Sequence, residues 1–181
     1  LNLGQGRVSG RAALDARRVA AQLDIADLPL SMIAALAADS PQLGGSLSLQ
    51  AALNGAATAP DGTLDLQLKD VSARNVATAD SVALQGTVQA KLTAGRLAVH
   101  GDVGGFAEQG IVLDGEVPLR LSMQPFAASL PPNGAISGSL DWNGQVSTLW
   151  EALPFDTHRL AGIVDLTARA AGTVADPSVT A

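Results

Sequence analysis

The chain has 181 residues, 47% of them hydrophobic, and a formal net charge of −6. A hydrophobic fraction of this size excludes a disordered chain, and eleven scattered basic residues exclude a groove for nucleic-acid phosphates. The chain contains no cysteine, which excludes disulfides and thiolate metal sites.

The first motif is glycine-rich. Residues 4–10, GQGRVSG, resemble a dinucleotide-binding fingerprint with one residue too many. That fingerprint functions only between a strand and a helix. Here three residues precede it, and the following segment has no amphipathic helical pattern. We therefore expect a glycine-rich turn and no nucleotide site.

Two short segments carry apolar residues at helical spacing. They are residues 28–37, LPLSMIAALA, and residues 146–153, VSTLWEAL. Apolar residues on one face of a 3.6-residue period predict two short amphipathic helices. Helices of this length are expected to cap an edge of a sheet.

One phrase occurs twice. Residues 43–60, LGGSLSLQAALNGAATAP, align without a gap on residues 160–177, LAGIVDLTARAAGTVADP. Each copy follows one of the two helical segments. We expect residues 1–181 to be a single fragment of a longer repetitive β domain, built from a helix, a strand and a turn closed by Gly and Pro.

Apolar residues at every second position predict strands, because successive side chains of a strand point to opposite faces. The signal is clearest in residues 110–125, GIVLDGEVPLRLSMQP, although Pro118 cannot donate a ladder hydrogen bond and predicts an interruption or an edge. The same period appears at Leu47–Leu53, Leu64–Leu68, Val82–Leu92, Leu97–Val99, Ile136–Trp142 and Val164–Ala168. Turn signals separate these runs at Pro60–Gly62, Ala94–Gly95, Gly104–Gly105, Pro132–Gly134 and Asn143–Gly144. The pattern predicts an all-β fold of antiparallel hairpins.

The sequence carries little reactive chemistry. Neither His100 nor His158 has a second histidine nearby, which favours solvated or structural histidines over metal ligands. A Ser-His-Asp triad stays open because its members converge only in space, but no G-x-S-x-G elbow is present. We expect no enzyme, no catalytic residue, no metal and no cofactor.

The repeated phrase resembles a known family. Leu160, Gly162, Leu166, Gly172, Thr173, Val174 and Pro177, with their counterparts in residues 43–60, match the pattern of the inner-membrane subunit of the translocation and assembly module (TamB-like), within the AsmA-like group. Residues 27–36 and 136–162 are also similar to the C-terminal region of that family. The first copy departs from the pattern, with Ala56-Ala57 where Thr-Val stands in the second.

The resemblance implies a long antiparallel sheet curled into an apolar trough, often called a β-taco. It also implies a periplasmic protein anchored to the inner membrane through an N-terminal helix absent from this sequence. The implied partners are phospholipid acyl chains, a TamA-like outer-membrane barrel protein and outer-membrane protein substrates.

We therefore expect a lipid conduit whose groove shields acyl chains between the two membranes. The expected lining residues are Leu47, Leu49, Leu64, Leu66, Leu68, Leu84, Val88, Leu113, Val117, Leu119, Leu121, Met123, Leu140 and Leu166. Two alternatives remain open. One is a factor that templates β-strands of outer-membrane proteins, and the other is a structural stalk whose apolar residues fill a closed sandwich.

Overall fold

A computed structural model describes residues 2–3, 6–34, 42–74, 83–104, 110–145 and 162–181. This part of the chain contains thirteen strands and one short helix. The strands are β1 (Asn2–Leu3), β2 (Gly6–Leu14), β3 (Arg18–Pro29), β4 (Gln42–Ala56), β5 (Ala59–Arg74), β6 (Leu84–Thr93), β7 (Arg96–Gly104), β8 (Ile111–Pro118), β9 (Arg120–Met123), β10 (Phe126–Ser129), β11 (Ala135–Gln145), β12 (Ile163–Thr173) and β13 (Pro177–Thr180), and the helix is α1 (Leu30–Ala34).

Eleven strands form one antiparallel sheet. Neighbours follow chain order, except that β8 pairs with β11, and β9 and β10 pair only with each other. The sheet does not close, since β1 and β13 are its two edges. The predicted all-β fold, a long antiparallel sheet curled into an apolar trough, is confirmed.

The register places apolar residues opposite apolar residues along the whole sheet. One row across six strands consists of Gly10, Leu23, Ala51, Leu64, Ala90 and Val99. The adjacent row on the opposite face consists of Ser9, Asp24, Gln50, Asp65, Gln89 and His100. Since side chains alternate between faces, the sheet has one apolar face and one polar face.

Two bulges keep the apolar residues on the same face. Asp27 in β3 (φ 48°) and Asp70 in β5 (φ 52°) have left-handed backbones, which aspartate tolerates better than most residues. The register shifts at both positions, between Ile25 and Leu28 in β3 and between Leu68 and Val71 in β5. Each extra residue reverses the alternation, so that the next apolar residue returns to the apolar face.

The two ends of the strands differ. The turn end carries the short connections β2–β3, β4–β5, β6–β7 and β12–β13 and the β9–β10 hairpin. At the opposite loop end, the connections after β3, β5, β7 and β11 fall partly or wholly outside the described residues. Backbone hydrogen bonds join the turn end, from Ala57 N to Arg17 O at 2.9 Å, Met123 N to Ala57 O at 2.7 Å and Leu119 N to Gly95 O at 2.8 Å.

Within the described part of the chain, the apolar face has no extended second layer, and the β9–β10 hairpin contacts the main sheet at β5. Among the described residues, the buried hydrophobic side chains are Val19, Leu30, Ala57 and Leu92, and of these only the small side chain of Ala57 is fully buried. Leu30 belongs to α1, which packs against β4 at the loop end. Most other large side chains on the apolar face are half-buried.

Several local predictions need correction. The expected glycine-rich turn at residues 4–10 is wrong from Gly6 onward, where β2 begins. These glycines permit a close approach of β3, since a Cβ at Gly6 would lie 3.0 Å from Leu28 Cα. The predicted turns at Pro60–Gly62 and Asn143–Gly144 lie inside β5 and β11.

The helix predicted at residues 28–37 is observed as the shorter α1. The helix predicted at residues 146–153 lies outside the described residues.

The two copies of the repeated phrase form the same kind of hairpin. Gly55 is the cross-strand partner of Pro60, and Gly172 is the partner of Pro177. Both glycines have positive φ, 115° and 106°. The phrase therefore encodes a tight hairpin in which a glycine sets the backbone before the turn and a proline begins the return strand.

We expect Gly45→Ala to destabilise the sheet by about 2 kcal/mol or more, because a left-handed backbone opposes an L side chain. Gly45 has φ 98°, and its added Cβ would lie 2.5 Å from Lys69 O. Gly104→Ala is the matched control, since its Cβ meets nothing within 4 Å. Urea denaturation should show a lower free energy of unfolding only for Gly45→Ala. Equal losses in the two variants would contradict the left-handed backbone and close contact at Gly45.

Backbone hydrogen bonds from Arg17 and Arg18 hold the pKa of the Asp15 carboxyl below its usual value. The folded state thus favours the charged form. The charged Asp15 carboxylate therefore contributes its full stabilisation above the ordinary pKa of aspartate, about 3.9. This stabilisation is lost as the pH falls through the lowered pKa of Asp15 in the folded state. The stability difference between the native chain and Asp15→Asn should therefore shrink on acidification. A difference in free energy of unfolding, measured by urea denaturation, that stays constant on acidification would contradict this effect of the two backbone N–H groups.

Candidate functional site

The candidate site is a groove on the apolar face at the turn-end half of β2–β7. Its volume is about 740 Å³, within the range of small-molecule pockets. Inward-facing residues dominate its lining: Gly10, Ala12, Ala21, Leu23, Ala51, Leu53, Gly62, Leu64, Ala90, Leu92 and Leu97. These residues come from six consecutive strands, so the groove runs across the strands, along the hydrogen-bonding direction.

Small side chains create this open volume. Six of the inward-facing residues are glycine or alanine, and five are leucine. Ala12 pairs with Ala21, and Leu53 pairs with Gly62, so short side chains lie beside long ones on the groove floor. A surface with this pattern is hydrophobic, but its side chains have too little volume to fill the space on the concave side of the sheet.

The structure places eleven of the fourteen expected lining residues on the apolar face of the main sheet. Among these, Leu64 lines the groove. Six lie on β4, β5 and β6, which also contribute to the groove, but nearer the loop end: Leu47, Leu49, Leu66, Leu68, Leu84 and Val88. Four belong to β8, β11 and β12, beyond the groove: Leu113, Val117, Leu140 and Leu166.

Leu119, Leu121 and Met123 require correction. The pattern over residues 110–125 placed them with Leu113 on one face, but the chain leaves the main sheet after Pro118. Pro118 lacks an N–H for the ladder, and Leu119 N bonds instead to Gly95 O. These three residues therefore belong to the segment that crosses the turn end, and they do not line the groove.

Sequence reasoning missed four of the groove leucines as lining residues, namely Leu23, Leu53, Leu92 and Leu97. Leu53, Leu92 and Leu97 were part of the predicted strand patterns, but those patterns do not indicate where a sheet is concave. Leu23 lies in a strand that was not predicted. The alternation of Val19, Ala21, Leu23 and Ile25 was its available signal.

The polar face carries a second, chemically different groove of about 790 Å³ across β5–β12. His100 Nδ1 lies 2.7 Å from Asp114 Oδ1 at its centre, and Arg96 pairs with Glu116 nearby. His100 thus faces the solvated side, as the alternation predicts. His158 lies outside the described residues.

Within the described ranges, no group of three or more His, Asp or Glu side chains could hold a metal ion. The same ranges contain no helix with the length and apolar content needed to cross a membrane.

Comparisons with protein-family models, curated proteins and solved structures find no match to this chain. The resemblance to the TamB-like family therefore stays a prediction from the sequence. The function has to be argued from the groove itself.

The difference in burial along the apolar face has a measurable consequence. Leu92 is buried at the turn end, whereas Leu66 is half-buried nearer the loop end. We expect Leu92→Ala to cost about 2–5 kcal/mol of folding free energy and Leu66→Ala about 1 kcal/mol, because less of its area leaves water. Chemical denaturation measures both values, and equal losses near the larger figure would indicate a filled core.

Proposed function

We propose that this chain is a non-enzymatic lipid-binding module whose apolar groove shields acyl chains from water. One observation carries the proposal. In the described part of the chain, one sheet presents a continuous apolar face that is half-exposed around a groove of about 740 Å³. A sheet face of this kind normally packs against a second layer. A guest hydrocarbon can take the place of that layer.

The free energy gained by shielding a guest from water depends on the length of its hydrocarbon tail. Moving a hydrocarbon through water costs about 0.8 kcal/mol per CH₂, so a tail of about 14 carbons faces a barrier on the order of 11 kcal/mol. A lining of leucine and alanine side chains removes most of that cost without forming a specific polar contact. The groove therefore fits an aliphatic tail and imposes little selection on its headgroup.

The resemblance supplies the cellular setting of the proposal. In that setting the chain is the periplasmic part of an inner-membrane-anchored protein and moves phospholipids toward the outer membrane with a TamA-like barrel partner. No catalytic step or cofactor enters the proposed function.

Two adjacent alanines provide a matched test. Ala51 lies on the groove floor. Ala52 follows it on β4 and also borders the groove, but its side chain points to the polar face. We expect Ala51→Phe to fill the groove and weaken binding of a fluorescent fatty acid by tenfold or more. Ala52→Phe should bind as the native chain does.

The stability of the two variants separates loss of the groove from loss of the fold. Ala51→Phe adds apolar contact on the groove floor, so its free energy of unfolding should equal or exceed the native value. Native affinity in a folded Ala51→Phe variant would exclude this groove as the tail site. Failure of the native chain to bind any aliphatic probe would overturn the proposed function.

A second candidate function is supported by the open sheet edge. β13 covers only Arg169–Gly172 of β12, so Ile163–Ala168 pairs with β11 on one side and has no strand partner on its outer side within the described part of the chain. Such an edge can accept an extended segment by strand addition, as a template for outer-membrane proteins requires. Photo-cross-links from Asp165 to an incoming barrel strand, preserved in Ala51→Phe, would favour templating over lipid binding.

A further inference from the structure

The turn end of the sheet carries a surface that the groove does not use. We define the hairpin corner as Leu14–Arg18, Ala56–Ala59 and Leu119–Leu130. Two backbone hydrogen bonds join its three parts, from Ala57 N to Arg17 O and from Met123 N to Ala57 O. Phe126 is the cross-strand partner of Met123, which places the hairpin tip beside the other two turns.

The hairpin corner exposes three large hydrophobic side chains. Phe126 is 74% exposed, Leu14 54% and Leu130 49%. Phe126 follows the tip of the β9–β10 hairpin, and Leu14 ends β2. Exposed hydrophobic side chains concentrated on protruding turns are typical of an interaction surface.

The charge of the hairpin corner is opposite to that of the chain. It contains Arg17, Arg18 and Arg120 but only one acidic residue, Asp15, which gives 3 − 1 = +2 in a chain of net −6. All three arginines are exposed, and none forms a salt bridge within the described residues, although the charge of Arg18 helps to lower the pKa of Asp15. The Asp15 carboxylate instead accepts the backbone N–H groups of Arg17 and Arg18.

We propose that the hairpin corner docks on the surface of an anionic lipid bilayer. Aromatic and leucine side chains enter the boundary between headgroups and acyl chains. Arginines beside them gain about 1 kcal/mol each from the negative surface potential. The excess of unpaired positive charge in an acidic chain favours an anionic bilayer over a neutral apolar partner.

The docking surface lies beside the groove but does not depend on it. Leu92 and Leu97 line the groove and flank the β6–β7 turn. In this turn the Gly95 carbonyl accepts a hydrogen bond from the N–H of Leu119, the first residue of the third part of the hairpin corner. Docking would therefore bring the turn-end side of the groove to the membrane. Ala51→Phe should still bind vesicles, so a failure of docking and a failure of tail binding are distinguishable.

Fluorescent labelling of the full chain tests the proposal, because the chain contains no cysteine. Phe126→Cys and Val179→Cys each provide one site for an environment-sensitive dye. Val179 is the control, because it is similarly exposed, at 71%, but lies on β13, outside the hairpin corner. Vesicles of phosphatidylcholine containing about one-third phosphatidylglycerol should shift the emission at position 126 to the blue and leave position 179 unchanged. Vesicles of pure phosphatidylcholine should produce a weaker shift.

Vesicle co-sedimentation of the unlabelled chain provides the second measurement. The double variant Arg17→Gln, Arg18→Gln should bind anionic vesicles about 30-fold more weakly, which corresponds to about 1 kcal/mol per arginine. Lys69→Gln with Lys91→Gln removes two charges from the polar face and should leave binding unchanged. Absence of co-sedimentation, equal dye responses at positions 126 and 179, or equal losses in the two double variants would overturn the proposal. Retention on a protein partner without vesicle binding would assign the corner to that partner instead.

Discussion

The structure depends on one constraint, the alignment of apolar side chains across neighbouring strands. In a sheet with one apolar face, a register slip of one residue would turn every side chain of that strand to the wrong side. The row through Leu23, Leu64 and Val99 shows that the register holds over six strands. The bulges at Asp27 and Asp70 preserve it where the spacing of apolar residues changes from two to three. Since few of the described side chains are buried, this part of the chain is stabilised mainly by ladder hydrogen bonds and cross-strand side-chain contacts.

The same constraint explains how a stable sheet can keep an empty groove. Leucines provide hydrophobic contact between neighbouring strands. Between them, glycines and alanines such as Gly62 and Ala90 do not extend into the groove and leave its volume open. Bonds among the turns then fix the turn end, with Ala57 both accepting a hydrogen bond from Met123 and donating one to Arg17. The exposed apolar area is therefore a property of the sequence pattern, and a guest can cover it without rearrangement of the ladder.

Local sequence pattern predicted most of the fold but less of the site. The strands around Leu64 were evident because leucine recurs at every second position, whereas β3 was missed because alanines such as Ala21 weaken the same alternation. The three-residue step from Leu68 to Val71 was an available signal of the β5 bulge, but no bulge was predicted there. The departure of the chain after Pro118 was predicted only as an interruption, since its new direction depends on a bond to a distant turn. The position of the groove arises from curvature of the whole sheet, which no local period encodes.

Intermolecular nuclear Overhauser effects between a fatty acid and the methyl groups of the chain test the central claim most directly. We expect the tail to lie against the inward-facing methyl groups of β2–β7. Because these effects require direct contact between protons, tail protons should give cross-peaks to the methyl groups of Leu53, Leu64 and Leu97, and none to the methyl groups of Ala52 and Ala98, which point to the polar face. Equal cross-peaks from both faces, or none from either, would show that the apolar face is not an open site for hydrocarbon.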